Sequence, residues 1–155
     1  MKKKGDYMNK ITRFISLTER CTNEFRTNEF AEIGLGPAYN MYIFYLCKNP
    51  GVPQDTLSKV LHINKSNVTR AIQKLIEDGF LYKETDKDDK RISRIYPTQK
   101  AYDIRPILSE KMSNWNEIIM SGLTTEERDK LYELLKKVTI NACDYSSKKY
   151  MEVDN

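Results

Sequence analysis

Asn64-Lys65-Ser66-Asn67-Val68-Thr69-Arg70-Ala71-Ile72-Gln73-Lys74-Leu75-Ile76-Glu77-Asp78-Gly79 is the stretch on which the fold turns. It reads as one helix, opened by Asn64 as N-cap and closed by Gly79 as the residue just past the end. Val68, Ala71, Ile72, Leu75 and Ile76 recur at three- and four-residue intervals and make a single apolar stripe. The opposite side carries Ser66, Arg70, Gln73 and Lys74, flanked by Asn67 and Thr69. A helix that enters the major groove of DNA needs this division: an apolar back to bury, and a front of short hydrogen-bonding groups and cations.

The flanking sequence frames that helix. Upstream, Val52-Pro53-Gln54-Asp55-Thr56-Leu57-Ser58-Lys59-Val60-Leu61 reads as a shorter helix with Pro53 in its first turn. His62-Ile63 is a tight connection, so the two helices form a helix-turn-helix. Downstream, residues 80–85 are aromatic and apolar, then polar, and read as a strand. Asp86-Lys87-Asp88-Asp89-Lys90 is a charged turn, and residues 91–96 read as the returning strand. That hairpin is a wing, and its arginines are placed for phosphate or minor-groove contact.

Residues 54–98 resemble the DNA-binding core of the MarR family, the multiple-antibiotic-resistance type of bacterial transcriptional regulator. The likeness rests on Leu57-Ser58, on Lys65-Ser66-Asn67-Val68-Thr69-Arg70, on Leu75-Ile76-Glu77-Asp78-Gly79-Phe80-Leu81, and on Asp86-Lys87-Asp88-Asp89-Lys90-Arg91 at the wing tip. Thr98-Gln99-Lys100-Ala101 resembles the family's start of the next helix. Ala101 stands where the family often has Gly, and Pro97 where it often has an aliphatic residue; both departures lie at the strand-to-helix junction. The order and spacing of these pieces carry the resemblance, strongly over residues 53–101.

Composition is consistent with that reading. The chain has 155 residues, 39% hydrophobic, with a net charge of +4; this suits one domain-sized unit with a core, and permits nucleic-acid binding without demanding it. No apolar run reaches the roughly eighteen residues of a membrane span. Met1-Lys2-Lys3-Lys4 is basic but no apolar segment follows, so a cytoplasmic location is expected rather than secretion. Three widely spaced cysteines, Cys21, Cys47 and Cys143, and a single histidine give neither a disulfide framework nor a metal-ligand spacing. No cofactor is called for.

Outside the central lobe the chain reads as helices. One is expected over residues 7–31, a second from Pro37 to Lys48, a third from Thr98 toward Ser121, and a fourth after Thr124, where Thr124 and Glu127 form a capping box. Residues 1–6 and the charged tail from Ser146 are expected to be loosely held. The fold class is mainly α: a winged helix-turn-helix over residues 37–97, with residues 7–36 and 98–145 supplying long flanking helices. Their apolar faces exceed what one such core can cover, so pairing of two chains through these helices is expected. A two-fold dimer would set two recognition helices about one turn of B-DNA apart, suiting a palindromic operator.

The DNA-contact set is then Asn64, Lys65, Ser66, Asn67, Thr69, Arg70, Gln73 and Lys74 on the helix, with Asp89, Lys90 and Arg91 on the wing. Arg70 is the leading base or phosphate donor. By resemblance, Asp89 orients Arg91 through an ion pair; Arg94 reads either way. The resemblance also implies a homodimeric regulator, a repressor in sign, released by a small ligand or by oxidation. Cys21 lies where some relatives sense oxidants, although an inert thiol is the plainer reading. Tyr39, Tyr42, Tyr45 and Trp115 read as core or dimer packing, or as part of a ligand pocket. Cys47 and Cys143 read as core, and His62 as a junction residue. Two other readings compete: a winged helix used as a protein-interaction adaptor or anti-regulator without DNA affinity, and an enzyme with a cysteine nucleophile. No histidine partner or phosphate-cradling loop supports the enzyme.

Overall fold

Asn64 caps as its short carbonyl side chain allows. In the computed structural model, which describes residues 8–146, its Oδ1 accepts the backbone N–H of Asn67 at 2.8 Å and the hydroxyl of Ser66 at 2.8 Å. The expectations for residues 1–7 and for the tail beyond Ser146 lie outside the described residues. The chain divides into two compact units, one ending at Ala38 and one beginning at Tyr39.

The first unit is built on helix α1 (Met8–Ala31). The Leu35 N–H bonds the Phe30 carbonyl at 3.1 Å, and the Gly34 N–H the Ala31 carbonyl at 3.1 Å. This pair of bonds is a Schellman motif, which consumes carbonyls that the helix end would otherwise leave open. Phe30 and Leu35 are buried, whereas Ile11, Phe14, Ile15 and Leu17 are exposed. Within α1, Arg26 pairs with Glu19 at 3.1 Å.

The second unit is a winged helix-turn-helix followed by two long helices. Its elements are α2 (Asn40–Lys48), β1 (Val52–Pro53), α3 (Gln54–Val60), α4 (Lys65–Glu77), β2 (Leu81–Thr85), β3 (Ser93–Pro97), α5 (Gln99–Ile119) and α6 (Thr125–Tyr145). Tyr42, Ile43, Phe44 and Leu46 of α2 join Leu57, Val60, Ile72, Leu75, Phe80, Ile95 and Leu108 in the core. Burying side chains of this size is worth roughly 1.5–3 kcal/mol each, and they gather in this lobe as the unit's apolar core.

Several boundaries differ from the sequence reading, each for a local reason. Helix α2 begins at Asn40 rather than Pro37, because its first backbone bonds are accepted by the Tyr39 carbonyl; Pro37 lies in a turn. The φ that suits proline to a helix start also suits it to a turn. The first helix of the helix-turn-helix begins at Gln54, not Val52. Pro53 disfavours helical backbone at the residue before it, is itself extended (φ −59, ψ 140), and with Val52 pairs against β3.

The wing is therefore one hairpin of a three-stranded antiparallel sheet, ordered β1-β3-β2. Pro53 sits on an edge strand, where its missing N–H costs no ladder bond. Arg91 and Ile92 belong to the turn instead of the returning strand: the Ile92 N–H bonds the Asp89 carbonyl at 2.9 Å. Thr98 occupies the N-cap position of α5 but makes no side-chain cap bond. Its hydroxyl lies 2.7 Å from the Gly79 carbonyl and 3.1 Å from that of Phe80, tying α5 to the end of α4.

Helix α6 opens with the expected capping box, Glu127 N–H to Thr124 Oγ1 at 3.2 Å and Thr124 N–H to Glu127 Oε2 at 2.9 Å. No residue of α6 is buried. Leu131, Leu134, Leu135 and Val138 all lie on the surface of the single chain. Cys47 and Cys143, expected in the core, are half-buried.

Candidate nucleic-acid interface

Helix α4 is positioned by its back. Val68, Ala71, Ile72 and Leu75 are buried, and α3 and β2 pack against the helix. Its C-terminal end is a second Schellman motif: Phe80 N–H to Leu75 O at 2.8 Å, Gly79 N–H to Ile76 O at 3.0 Å. Gly79 has φ 78, a left-handed value that a side chain would strain. Lys100 of α5 donates to the Asp78 carbonyl at 2.7 Å while its ammonium lies 4.1 Å from the centre of the Phe80 ring. The helix is thus clamped at both ends as well as along its back.

The structure puts Lys65, Ser66, Asn67, Thr69, Arg70, Gln73 and Lys74 on the exposed side of α4. Their side chains are not equally free. Ser66 is engaged with Asn64, and Asn64 itself is spent on the cap. Thr69 accepts from the Gln54 amide at 3.1 Å and donates to the Lys65 carbonyl at 3.0 Å. Gln73 bonds Glu77 at 3.0 Å, Lys65 pairs with Asp55 at 3.3 Å, and Lys74 pairs with Asp78 at 2.8 Å. The Asp78 hydrogen bond raises the Lys74 pKa. Among the described residues, the side chains of Asn67 and Arg70 have no hydrogen-bond partner in the protein. They are one turn apart, in the N-terminal half of the helix.

The wing adds a second cationic point. Asp89 holds Arg91 with two parallel bonds, Nε to Oδ1 at 3.0 Å and Nη2 to Oδ2 at 2.9 Å. This ion pair, and the Arg91 backbone N–H on the same carboxylate, lower the Asp89 pKa. Arg91 remains 90% exposed at its side chain, so the pairing aims the guanidinium without hiding it. Lys90 is exposed beside it.

Arg94, which the sequence left open, is structural. It bonds Asp86 and donates to the Gly51 carbonyl at 2.8 Å, locking the hairpin to the strand before α3. Asp86 also accepts the N–H groups of Asp88 and Asp89. The backbone bond from Asp89, then Arg94, pull its pKa down to about 2.

The sequence motifs contain Gln54, Asp55, Asp86 and Lys100 but assign none of them an individual role. Gln54 and Asp55 each bond a residue of α4, and their signal was their place at the start of α3, opposite the opening turn of α4. They also line a cleft of about 360 Å³ with Arg91, Ile92 and Ser93, between the start of α3 and the wing. Cys21 is an exposed thiol on α1, remote in sequence from this face. Tyr42 is core: burial pushes its pKa up to about 12. His62 takes a left-handed backbone (φ 56) at the junction of α3 and α4. Among the described residues no group of histidine, cysteine, aspartate or glutamate is arranged to hold a metal, and no helix is long and apolar enough to cross a membrane.

A sequence profile of the MarR family matches residues 33–92. The chain is 31% identical over 134 residues to the uncharacterized HTH-type transcriptional regulator YybA of Bacillus subtilis strain 168, spanning 86% of this chain and 89% of that protein. It is similar to the solved structure of the transcriptional regulator SlyA (TM-score 0.82, 29% identity), covering 86% of this chain and 94% of that one. It is also similar to a MarR-family transcriptional regulator from Listeria monocytogenes solved in complex with a 26mer DNA (TM-score 0.81, 28% identity), covering 92% and 97% respectively.

Proposed function

The chain belongs to the MarR family of DNA-binding transcriptional regulators, and from that premise we propose that it is a homodimeric, sequence-specific repressor acting on a palindromic operator. Residues 37–97 are the DNA-binding lobe in this reading, and residues 7–36 and 98–145 the dimerisation helices. The observation that carries it is the exposed front of α4, with Asn67 and Arg70 unengaged in its N-terminal half and the Asp89-aimed Arg91 on the wing. An asparagine can meet an adenine edge and an arginine a guanine edge in two-bond pairings, while the wing cations follow phosphate or the minor groove.

The dimer is supported by an accounting of apolar surface. Leu131, Leu134, Leu135 and Val138 on α6, Ile118 and Ile119 on α5, and Ile11, Phe14 and Ile15 on α1 are exposed in the single chain. Soluble monomers rarely display so many large apolar side chains in helical rows, and a second copy would cover them. Two α4 helices set about 34 Å apart would then read two half-sites one turn of duplex apart. Repression follows from occupying a promoter. A small ligand, or oxidation of the exposed Cys21, would relieve it by changing the separation of the two α4 helices.

Footprinting of genomic DNA with the purified protein tests this reading. Protected palindromes in promoter regions are the expected result. Indifference to every duplex in dilute salt would instead favour a winged helix used for protein contact, and a monomer at micromolar concentration in light scattering would remove the dimer.

A further inference from the structure

Helix α4 carries three cations, Lys65, Arg70 and Lys74, and the two outer ones are already occupied. Lys65, in the first turn, has its Nζ 3.3 Å from Asp55 Oδ2; the two side chains are 71% and 76% exposed. Lys74, near the last turn, has its Nζ 2.8 Å from Asp78 Oδ1, with 52% and 25% exposure. Arg70 between them has no carboxylate partner among the described residues. The Lys65–Asp55 pair is exposed and the Lys74–Asp78 pair is an i,i+4 pair with a half-exposed lysine; pairs of both kinds add little to stability, and α4 is held by its buried back and its two caps. The pairs are therefore dispensable for the fold.

We propose that Asp55 and Asp78 are intramolecular stand-ins for DNA phosphate, which damp sequence-independent binding by occupying the two lysines that flank the reading centre of α4. The inference rests on the reading that α4 faces DNA. A lysine that stays with its own carboxylate presents no net charge, neutralises no phosphate and releases no counterion. A phosphate approaching Lys65 or Lys74 meets an oxygen anion already at hydrogen-bond or ion-pair distance, which offsets the ammonium's charge and repels the newcomer. Contacts from Asn67 and Arg70 face no such competitor. Base reading at the centre is left intact while the electrostatic attraction common to all DNA is reduced, so the ratio of operator to non-operator binding rises.

Fluorescence anisotropy with a duplex of unrelated sequence, titrated with salt, tests the proposal. Asp55→Asn keeps the shape and removes the charge. It is expected to tighten binding to that duplex roughly 3- to 10-fold near ~50 mM salt, and to steepen the salt dependence by about 0.9 in log–log slope per protomer. Asp78→Asn is the independent second arm, with the same expectation. The gain should vanish for Asp55→Asn in a Lys65→Met background and for Asp78→Asn in a Lys74→Met background. Asp129→Asn, which removes an exposed carboxylate on α6, should produce no gain. Unchanged binding by both single variants, or a gain that persists without the lysines, overturns the proposal while leaving the DNA-binding reading in place. Absence of salt-dependent duplex binding by the wild-type chain overturns that reading and the proposal together.

Discussion

Helices α4 and α6 are close relatives in pattern and opposites in circumstance. Each begins at a side-chain N-cap, Asn64 on Asn67 and Thr124 on Glu127. Each carries apolar residues three and four apart, Val68-Ala71-Ile72-Leu75 in one and Leu131-Leu134-Leu135-Val138 in the other. The first row is buried within its own chain; the second is exposed from end to end. Amphipathic periodicity says that a face is destined for burial, not which molecule will cover it. Where the covering surface is local, as α3 and β2 are for α4, the single chain completes the job. Where it is not, as for α6, the stripe is left for another surface to cover, and the proposed second copy is the one it supports.

The sharpest way to break that contrast is to truncate both stripes. Ile72 is fully buried, and Ile72→Ala should cost about 2–5 kcal/mol in chemical denaturation of the chain, as core deletions that leave a cavity do. Leu134 is 48% exposed in the single chain. Leu134→Asp should leave the helical signal of the winged helix-turn-helix intact while lowering the association constant of the proposed dimer by an order of magnitude or more, read by analytical ultracentrifugation. If Leu134→Asp unfolds a chain that is monomeric at the outset, α6 is covered intramolecularly and the contrast collapses.

A smaller effect separates the two outward-facing surfaces. Arg70 stands unengaged on α4, so Arg70→Ala should weaken operator binding by about 1–3 kcal/mol in anisotropy titrations if it meets a base edge. Thermal stability should be unchanged, because the side chain is exposed and without a protein partner among the described residues. Gln73 is engaged by Glu77, and Gln73→Ala should cost less. An Arg70→Ala loss below a few tenths of a kcal/mol would take Arg70 out of the interface and leave α4 with no free cation at its centre.

The fold was legible in the sequence wherever a rule is local. Asn64, Gly79, Thr124 and Glu127 announce helix ends because their side chains or backbone freedom satisfy groups within four residues. The exposed front of α4 was legible as a face but not as a ranking. By residue type Ser66 and Thr69 rank with Asn67, as short hydrogen-bonding groups on or beside the exposed face. Only the folded chain shows the first engaged by Asn64 and the second by Gln54. The strand at Val52–Pro53 was missed because its partner, Ile95 and Arg94, lies about forty residues away and no local pattern encodes that pairing. Arg94 was ambiguous for the same reason: its ties to Asp86 and the Gly51 carbonyl are products of the closed hairpin. Gly51 itself has φ 79, and a Cβ there would lie 2.9 Å from the Tyr96 ring, a constraint that the sequence shows only as one more turn glycine.

The two caps make the finest test of the comparison, because chemically similar substitutions should report on different equilibria. Asn64→Ala removes the acceptor of the Asn67 N–H and releases Ser66, at a cost of about 1 kcal/mol. Since α4 is folded within the single chain, that loss should appear in unfolding experiments at any protein concentration. It should also weaken DNA binding, because the first turn of the reading helix frays. Thr124→Ala breaks one half of a capping box on a helix whose apolar face has no cover inside its own chain, again for about 1 kcal/mol. If α6 is consolidated only by a second copy, this loss should surface as weaker dimerisation, with unfolding that depends on protein concentration, and DNA binding should fall only as far as the dimer does. Equal and concentration-independent losses from both substitutions would mean that α6 is as self-sufficient as α4, and that its exposed leucines serve something other than pairing.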